Sequence, residues 1–280
     1  MIETITGLED LRGRVRGWRR EGLRVGFVPT MGNLHAGHYS LVALARQHAD
    51  RVVSSVFVNP TQFGPSEDFT RYPRTLEADT AGLEAAGCDV LWLPNVESMY
   101  PFGVDLASRV HVPGVSAVLE GACRPGHFDG VCTVVSRLFH QVLPDLAAFG
   151  RKDYQQLAVI RQLVADLHFP IQIIGGAIVR EADGLAMSSR NQYLGPDERP
   201  RAAVIHQVLQ AMRQAQLEGA PRDALEAQAC AQLQAAGFVV DYAVLRRPDL
   251  TEPDDGEPGP KVALVAARLG TTRLIDNLEF

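Results

Sequence analysis

Lysine is almost missing from this chain. Of 27 basic residues only Lys152 and Lys261 are lysine, so arginine carries every other fixed positive charge. Coding bias accounts for the arginines but not for the exceptions, and a need for a compact, mobile ammonium is one physical reason for position 152 to resist the exchange. Cysteine is scarce as well: Cys88, Cys123, Cys132 and Cys230 form no CxxC pair and no Cys/His group at zinc spacing. That argues against a disulfide framework and a structural metal. Apolar stretches such as Val52–Val58 fall well short of a membrane span, and the start MIETITGLEDLRG has neither a basic nor an apolar leader region. A cytoplasmic protein without a membrane partner is expected. A net charge of −6 argues against non-specific affinity for nucleic acid, so basic residues must act locally.

What is present is a globular pattern, since 46% hydrophobic and 21% charged residues exclude disorder. Leu8, Leu11, Val15 and Trp18 recur at helical spacing, marking Leu8–Glu21 as a helix with Arg12, Arg16, Arg19 and Arg20 largely off its apolar stripe. In an acidic chain that arginine run reads as a solvated face rather than a nucleic-acid patch. Strands and helices then alternate. The pattern predicts strands at Arg24–Pro29, Val52–Val58, Val90–Leu93, Leu146–Phe149 and Ile171–Ile174, with helices at Gly37–Ala49, Leu76–Ala86, Phe128–Val142 and Leu157–Leu167. Such alternation predicts an α/β fold built on a doubly wound parallel sheet over residues 1–177. Beyond Gly175-Gly176 the pattern predicts helices at Pro200–Leu217 and Ala224–Ala236, then strands at Phe238–Leu245, Val262–Arg268 and Thr272–Ile275. A smaller C-terminal α+β domain over 178–280 is expected, with Pro253–Pro260 as its flexible loop.

The first strand-to-helix junction reads Val28-Pro29-Thr30-Met31-Gly32-Asn33-Leu34-His35-Ala36-Gly37-His38. The usual G-x-G-x-x-G and G-x-x-x-x-G-K-[ST] fingerprints are absent. In their place stands His-x-Gly-His, where a helix start directs N–H groups toward phosphate, Gly37 permits close approach, and His35 and His38 are placed to donate hydrogen bonds. A metal pair is the rival reading, weakened by the lack of a third ligand nearby. Gln62 and Gln156 fall on loops beyond the carboxyl ends of strands, where α/β proteins bind ligands, and each offers a donor and an acceptor. Gly150-Arg151-Lys152-Asp153 opens a second anion-receptive turn, in which Lys152 suits phosphate and Asp153 suits a ribose or a helix cap.

The segment PTMGNLHAGH resembles the nucleotide-binding signature of the pantothenate synthetase (pantoate–β-alanine ligase) family, which has a Rossmann-like nucleotidylyltransferase fold. Further blocks resemble that family in its own order: Phe57-Val58-Asn59-Pro60-Thr61-Gln62-Phe63, Arg71-Tyr72-Pro73-Arg74-Thr75, Leu119 to Phe128, Phe149 to Gln156, and Asp183 to Asn191. The resemblance covers essentially the whole chain. It implies ATP contacts from Met31, Gly32, Asn33, Leu34, His35, Ala36, Gly37, His38, Gly150, Arg151, Lys152, Asp153, Val179, Met187, Ser188, Ser189 and Arg190. It also implies pantoate and β-alanine contacts from Gln62, Gln156, Asn59 and Arg124, and a Mg²⁺ contact from Asp79. Met187-Ser188-Ser189-Arg190 is similar to the KMSKS loop of class I synthetases. Departures are Arg151 where the family commonly has an acid, Arg137 where lysine is usual, and Ala177 where proline is usual.

The implied reaction condenses pantoate with β-alanine at the expense of ATP through a pantoyl adenylate, releasing pyrophosphate and AMP. Catalysis would rest on His38, His35, Lys152 and Arg190, Mg²⁺ would accompany ATP, and the small domain would close as a lid over the anhydride. A homodimer is implied by the same resemblance. No nucleophile motif such as G-x-S-x-G is present, in keeping with a route that has no covalent enzyme intermediate. A nucleotidylyltransferase with a phosphate acceptor and an ATP-binding regulatory module are the alternatives; the first needs extra basic residues at the acceptor loops, and the second needs neither Lys152 nor the Met187–Arg190 loop.

Overall fold

Val25–Thr30 is apolar to both sides, as a strand must be when helices cover both faces of its sheet. The computed structural model describes residues 1–64 and 69–280. They fall into two units, Met1–Arg151 with Gln156–Ala177, and Lys152–Gln155 with Ile178–Phe280. Residues 152–155, expected with the first domain, therefore group with the second.

The first unit runs β1 (Glu3–Ile5), α1 (Leu8–Arg20), β2 (Val25–Thr30), α2 (Ala36–Arg46), β3 (Arg51–Val56), α3 (Leu76–Ala85), β4 (Val90–Trp92), α4 (Val96–Met99), α5 (Glu120–Cys123), α6 (His127–Val142), β5 (Leu146–Gly150), α7 (Tyr154–Asp166) and β6 (Gln172–Gly176). Its sheet has the order β1-β4-β3-β2-β5-β6, every pair parallel. The pleat sends alternate residues to opposite cores. Phe27, Val53, Trp92 and Phe149 join Leu11, Val15, Phe139 and Leu157 on one face. Val28, Val52, Leu91 and Leu146 join Leu41, Val42, Ala45 and Leu83 on the other. The doubly wound sheet expected from the alternation is thus present. β1 is an addition, since a three-residue strand is too short for alternation to register; it pairs Glu3 with Val90 at the sheet edge.

Because β3 lies on one side of β2 and β5 on the other, the strand order reverses at β2, and the loops that follow these three strands surround the switch point where such sheets bind ligands. The loops after β2, β3 and β5 carry the His-x-Gly-His turn, Gln62 and the run toward Gln156. The loop after β3 includes a 3₁₀ turn, Pro60–Gln62. α6 lies directly against it at Gly130, where any Cβ would run into the carbonyl of Thr61.

The second unit contains α8 (Glu198–Ala202), α9 (Val204–Leu217), α10 (Arg222–Ala235), β7 (Phe238–Arg246), β8 (Val262–Leu269) and β9 (Thr272–Glu279). Its three strands form an antiparallel sheet in chain order. Ile205, Val208, Leu209, Leu225 and Leu233 cover Ala243, Val265 and Leu274. The single helix expected at Pro200–Leu217 is two: Pro200 sits in the first turn of α8, where its missing N–H leaves nothing unpaired, and a break follows at Ala203. β9 runs on past Ile275 through Asp276 and Asn277, polar residues that hide the strand from a hydrophobicity pattern. The loop expected to be flexible is tethered instead. Arg247 Nε donates to Glu257 (2.8 Å), Arg222 N to Asp255 (2.7 Å) and Lys261 Nζ to the Glu257 carbonyl (3.1 Å). The Arg247 guanidinium draws the Glu257 carboxyl down to about 2.

Glycine substitutions test the packing. Gly130→Ala should cost about 1–3 kcal/mol by overpacking. Gly13→Ala, in α1 with open space around it, should stabilise by about 0.5–1 kcal/mol through helix propensity. Denaturant midpoints of the two variants, moving in opposite directions, check both.

Candidate active site

β2 ends at Thr30, whose hydroxyl donates to the Ser55 carbonyl (2.7 Å) and receives Gly32 N–H (3.4 Å). The chain then turns sharply, with Gly32 at φ 88° and Asn33 at φ 52°. Gly32 is required there: the conformation is left-handed, and a Cβ would press on Val56 and Asp79. Asp79, on α3 and 1% exposed, accepts Asn33 N–H (2.9 Å), Leu34 N–H (2.7 Å) and the Thr75 hydroxyl (3.1 Å). Its two oxygens are engaged in holding the Gly32–Leu34 turn and are closed off from solvent, the geometry of a clamp on this loop.

α2 starts immediately after this clamped loop, and its two histidines cap it. His35 is the N-cap, and its Nδ1 accepts Gly37 N–H (3.1 Å), while His38 Nδ1 accepts His35 N–H (3.3 Å). The ring centroids lie 4.2 Å apart. A neutral imidazole that accepts at Nδ1 carries its proton on Nε2, so the backbone sets both rings as Nε2–H donors. Anions are favoured at this helix end, and an imidazolium is not.

Beyond β3, Asn59 is 1% exposed and saturated: its oxygen accepts Thr61 N–H (3.4 Å), the Thr61 hydroxyl (3.1 Å) and the Tyr100 hydroxyl (2.6 Å), and its Nδ2 donates to the Gly130 carbonyl (3.2 Å) and to Gln62 Oε1 (3.1 Å). Asn59, expected as a substrate contact, thus has its donors and acceptor engaged within the fold, which gives it a positioning task. Gln62, its acceptor oxygen taken by Asn59, has its amide nitrogen beside Met31 Sδ (3.0 Å) and is left chiefly as a donor, a form matched to a carboxylate. Arg124 is likewise engaged. It lies against Glu120 (3.9 Å) and His127 Nε2 (3.1 Å), and His127 Nδ1 reaches the Gln62 carbonyl (2.9 Å). Tyr100, which holds Asn59 from across 41 residues of chain, carried no sequence signal, whereas His127, singled out with Arg124 as added positive charge, reaches the Gln62 carbonyl.

Gln156 stands partly exposed in the first turn of α7, and Arg151 N–H donates to the Gly176 carbonyl (2.9 Å), tying the end of β5 to β6. Arg137, a departure from the family pattern, donates to the carbonyls of Met99 (2.8 Å) and Ser108 (3.2 Å) and lies 4.9 Å from the Tyr100 ring centre. It acts as a brace for the loop that carries Tyr100.

In the second unit, Lys152 and Asp153 precede α7, with Asp153 exposed and Lys152 half-buried. The Lys152 ammonium has no partner among the described residues, whereas Lys261 is 4% exposed with its ammonium on two carbonyls. Of the two lysines, one is thus occupied by the fold. Val179 and Met187 close a hairpin, Met187 N–H donating to the Val179 carbonyl (2.9 Å), with Arg180 bridged to Ala186. Ser188 caps the 3₁₀ turn Ser189–Tyr193, its hydroxyl accepting Arg190 N–H (3.3 Å). Asp276 accepts both Arg180 nitrogens (2.6 and 3.0 Å), and Asn277 Nδ2 donates to the Lys152 carbonyl (2.9 Å). Among the described residues no three His, Cys, Asp or Glu side chains converge on a metal position. With Asp79 engaged as well, the residues present do not fit a protein-held Mg²⁺.

Asp79→Asn should unseat one of the two loop N–H groups, costing about 1–3 kcal/mol of stability and weakening ATP binding. Titration calorimetry at several Mg²⁺ concentrations checks the clamp assignment: raising Mg²⁺ should restore nothing.

Comparison with known proteins identifies the family. The model of the family described as pantoate-beta-alanine ligase matches residues 3–279. A pantothenate synthetase of Xanthomonas campestris pv. campestris (strain B100) is 72% identical over the full length of both chains. The structure of pantothenate synthetase from Thermus thermophilus superposes with a TM-score of 0.91 at 47% identity, covering 99% of each chain. A pantoate-beta-alanine ligase from Francisella tularensis, solved with beta-gamma ATP and beta-alanine, has a TM-score of 0.83 at 32% identity, over 99% of this chain and 97% of that one. From the His-x-Gly-His turn to the last strand, the chain belongs to the pantoate-beta-alanine ligase family and is an enzyme of that class.

Proposed function

We propose that the enzyme makes pantothenate from pantoate, β-alanine and ATP in two half-reactions. A pantoate carboxylate oxygen attacks the α-phosphorus in line, and the bond from that phosphorus to the bridging oxygen breaks, giving pantoyl adenylate and pyrophosphate. The β-alanine amine then attacks the acyl carbon, forming the amide as AMP departs and the amine gives up a proton. Mg²⁺ enters with the triphosphate, held by phosphate oxygens and water. A cytoplasmic homodimer belongs to the same reading, on the strength of the family resemblance.

The observation that carries this reading is the reciprocal capping of α2 by His35 and His38, which sets two imidazoles at a helix start beside the switch point of the sheet. In the first step two anions meet, so the protein's work is to position them and neutralise charge that develops on phosphate. His35 and His38 donate to phosphoryl oxygens without transferring a proton. Lys152, Ser188, Ser189 and Arg190 of the second unit bear on the triphosphate, with Lys152 as a mobile point charge and Arg190 as a fork. Gly150, Arg151 and Asp153 line the approach to the nucleotide, and Val179 with Met187 supports the Ser188–Arg190 turn. Gln62, presented as a donor, takes the pantoate carboxylate, and Gln156 takes its hydroxyls.

Pyrophosphate release in a single turnover with ATP, Mg²⁺ and pantoate tests the order of events. One equivalent should appear without β-alanine, and AMP with pantothenate only after the amine is added; pyrophosphate that waits for the amine would overturn the adenylate route. His38→Ala and Lys152→Ala should each slow that first burst about 100-fold.

A further inference from the structure

The segment Lys152–Gln155 groups with the second unit, although residues on both sides of it belong to the first. Two of the contacts that hold it there are the following. Asn277 Nδ2 donates to the Lys152 carbonyl (2.9 Å), and the Tyr154 hydroxyl donates to the Pro248 carbonyl (3.3 Å). Asn277 is 2% exposed and its neighbour Asp276 4% exposed, both in β9 and both paired with β8. Asp276 receives Arg180 through both guanidinium nitrogens, and Arg180 also donates to the carbonyls of Gly184 (2.9 Å) and Asn277 (3.2 Å). Arg180 is the hairpin residue bridged to Ala186, and the hairpin leads directly into Ser188–Arg190. Asn191 closes the end of that turn on the Ala186 carbonyl (3.1 Å).

Two neighbouring residues of one strand thus hold the two segments assigned to phosphate. We infer that Asn277, with Asp276 and Arg180, is a positioning residue that sets Lys152 in register with the Ser188–Arg190 turn, so that the ammonium and the guanidinium meet one triphosphate together. The inference rests on the role proposed above for Lys152. Asparagine is suited to the place because its amide donates to a carbonyl while adding no charge beside the Asp276 carboxylate; aspartate of the same shape would set an acceptor against an acceptor. Arginine is suited because its fork meets both carboxylate oxygens and still has nitrogens for the two carbonyls.

A double-mutant cycle on the full enzyme separates positioning from scaffolding, with kcat for pyrophosphate release and KM for ATP and pantoate measured for each variant. Asn277→Ala removes the donor, and Asn277→Asp reverses it. Each should lower kcat about tenfold, the worth of one hydrogen bond converted to rate, with KM for pantoate moving less than about twofold. In a Lys152→Ala background the same changes should cost less than about twofold, since the group they position is gone. Equal losses in both backgrounds, or an unchanged kcat in the otherwise native enzyme, would overturn the positioning role. Asn277→Ala adds no charge and keeps the cycle decisive should the aspartate variant fold poorly. A Lys152→Ala enzyme with full kcat would overturn the phosphate role of Lys152 and this inference with it. An impaired Lys152→Ala enzyme with additive Asn277 losses would overturn this inference alone.

Discussion

Two imidazoles capping one helix start is the arrangement on which the site depends, and it is an unusual use of histidine. N-caps are ordinarily Ser, Thr, Asp or Asn, short side chains whose oxygen serves the helix and little else. Here each ring accepts a backbone N–H of the α2 start at Nδ1. Acceptance at Nδ1 places each neutral ring's proton on Nε2, so the local fold selects one tautomer for both rings. The left-handed pair Gly32-Asn33 delivers the chain to this cap, and a buried carboxylate, Asp79, holds it there.

Outside this turn, the arrangement of hydrogen bonds is one of graded commitment. Asn59 has no capacity left over, Gln62 has its oxygen on Asn59 and its nitrogen beside Met31 Sδ, and Lys152 has an ammonium without a partner among the described residues. The near-absence of lysine gains meaning from this grading. Arginines brace: Arg180 on Asp276, Arg137 on two carbonyls beside Tyr100, Arg247 on Glu257. A planar fork is suited to such fixed tasks, while a flexible ammonium is suited to following a phosphate whose bonds change. Truncating one partner of a buried pair such as Arg180–Asp276 typically costs about 3–5 kcal/mol, because the remaining charge stays buried. That stake is placed where the hairpin meets β9.

Much of this was legible in the chain. Period-two and period-3.6 patterns located nearly every long element, because burial on one or two faces leaves its mark on residue type wherever an element exceeds about one turn or four strand residues. Among those that escaped, β1 is three residues long and sits at the sheet edge, and the end of β9 reads Asp276-Asn277. Motif blocks singled out His35, His38, Gln62, Lys152 and Arg190, since chemistry of the kind proposed needs particular residue types at particular junctions.

What the sequence by itself determined, then, was the order and type of elements, the family, and the identities of the groups placed at strand ends. Which atom of each group is available was decided only by tertiary structure. Asp79 has its oxygens on the Gly32–Leu34 turn, Asn59 has its amide spent within its own loop and on Tyr100, and residues 152–155 lie in sequence within one unit while grouping with the other. The physical reason is that a side chain's capacity to bind is what remains after the fold has used its donors and acceptors. Partners such as Tyr100 for Asn59, or Asn277 for Lys152, come from 41 and 125 residues away. No local pattern encodes those pairings.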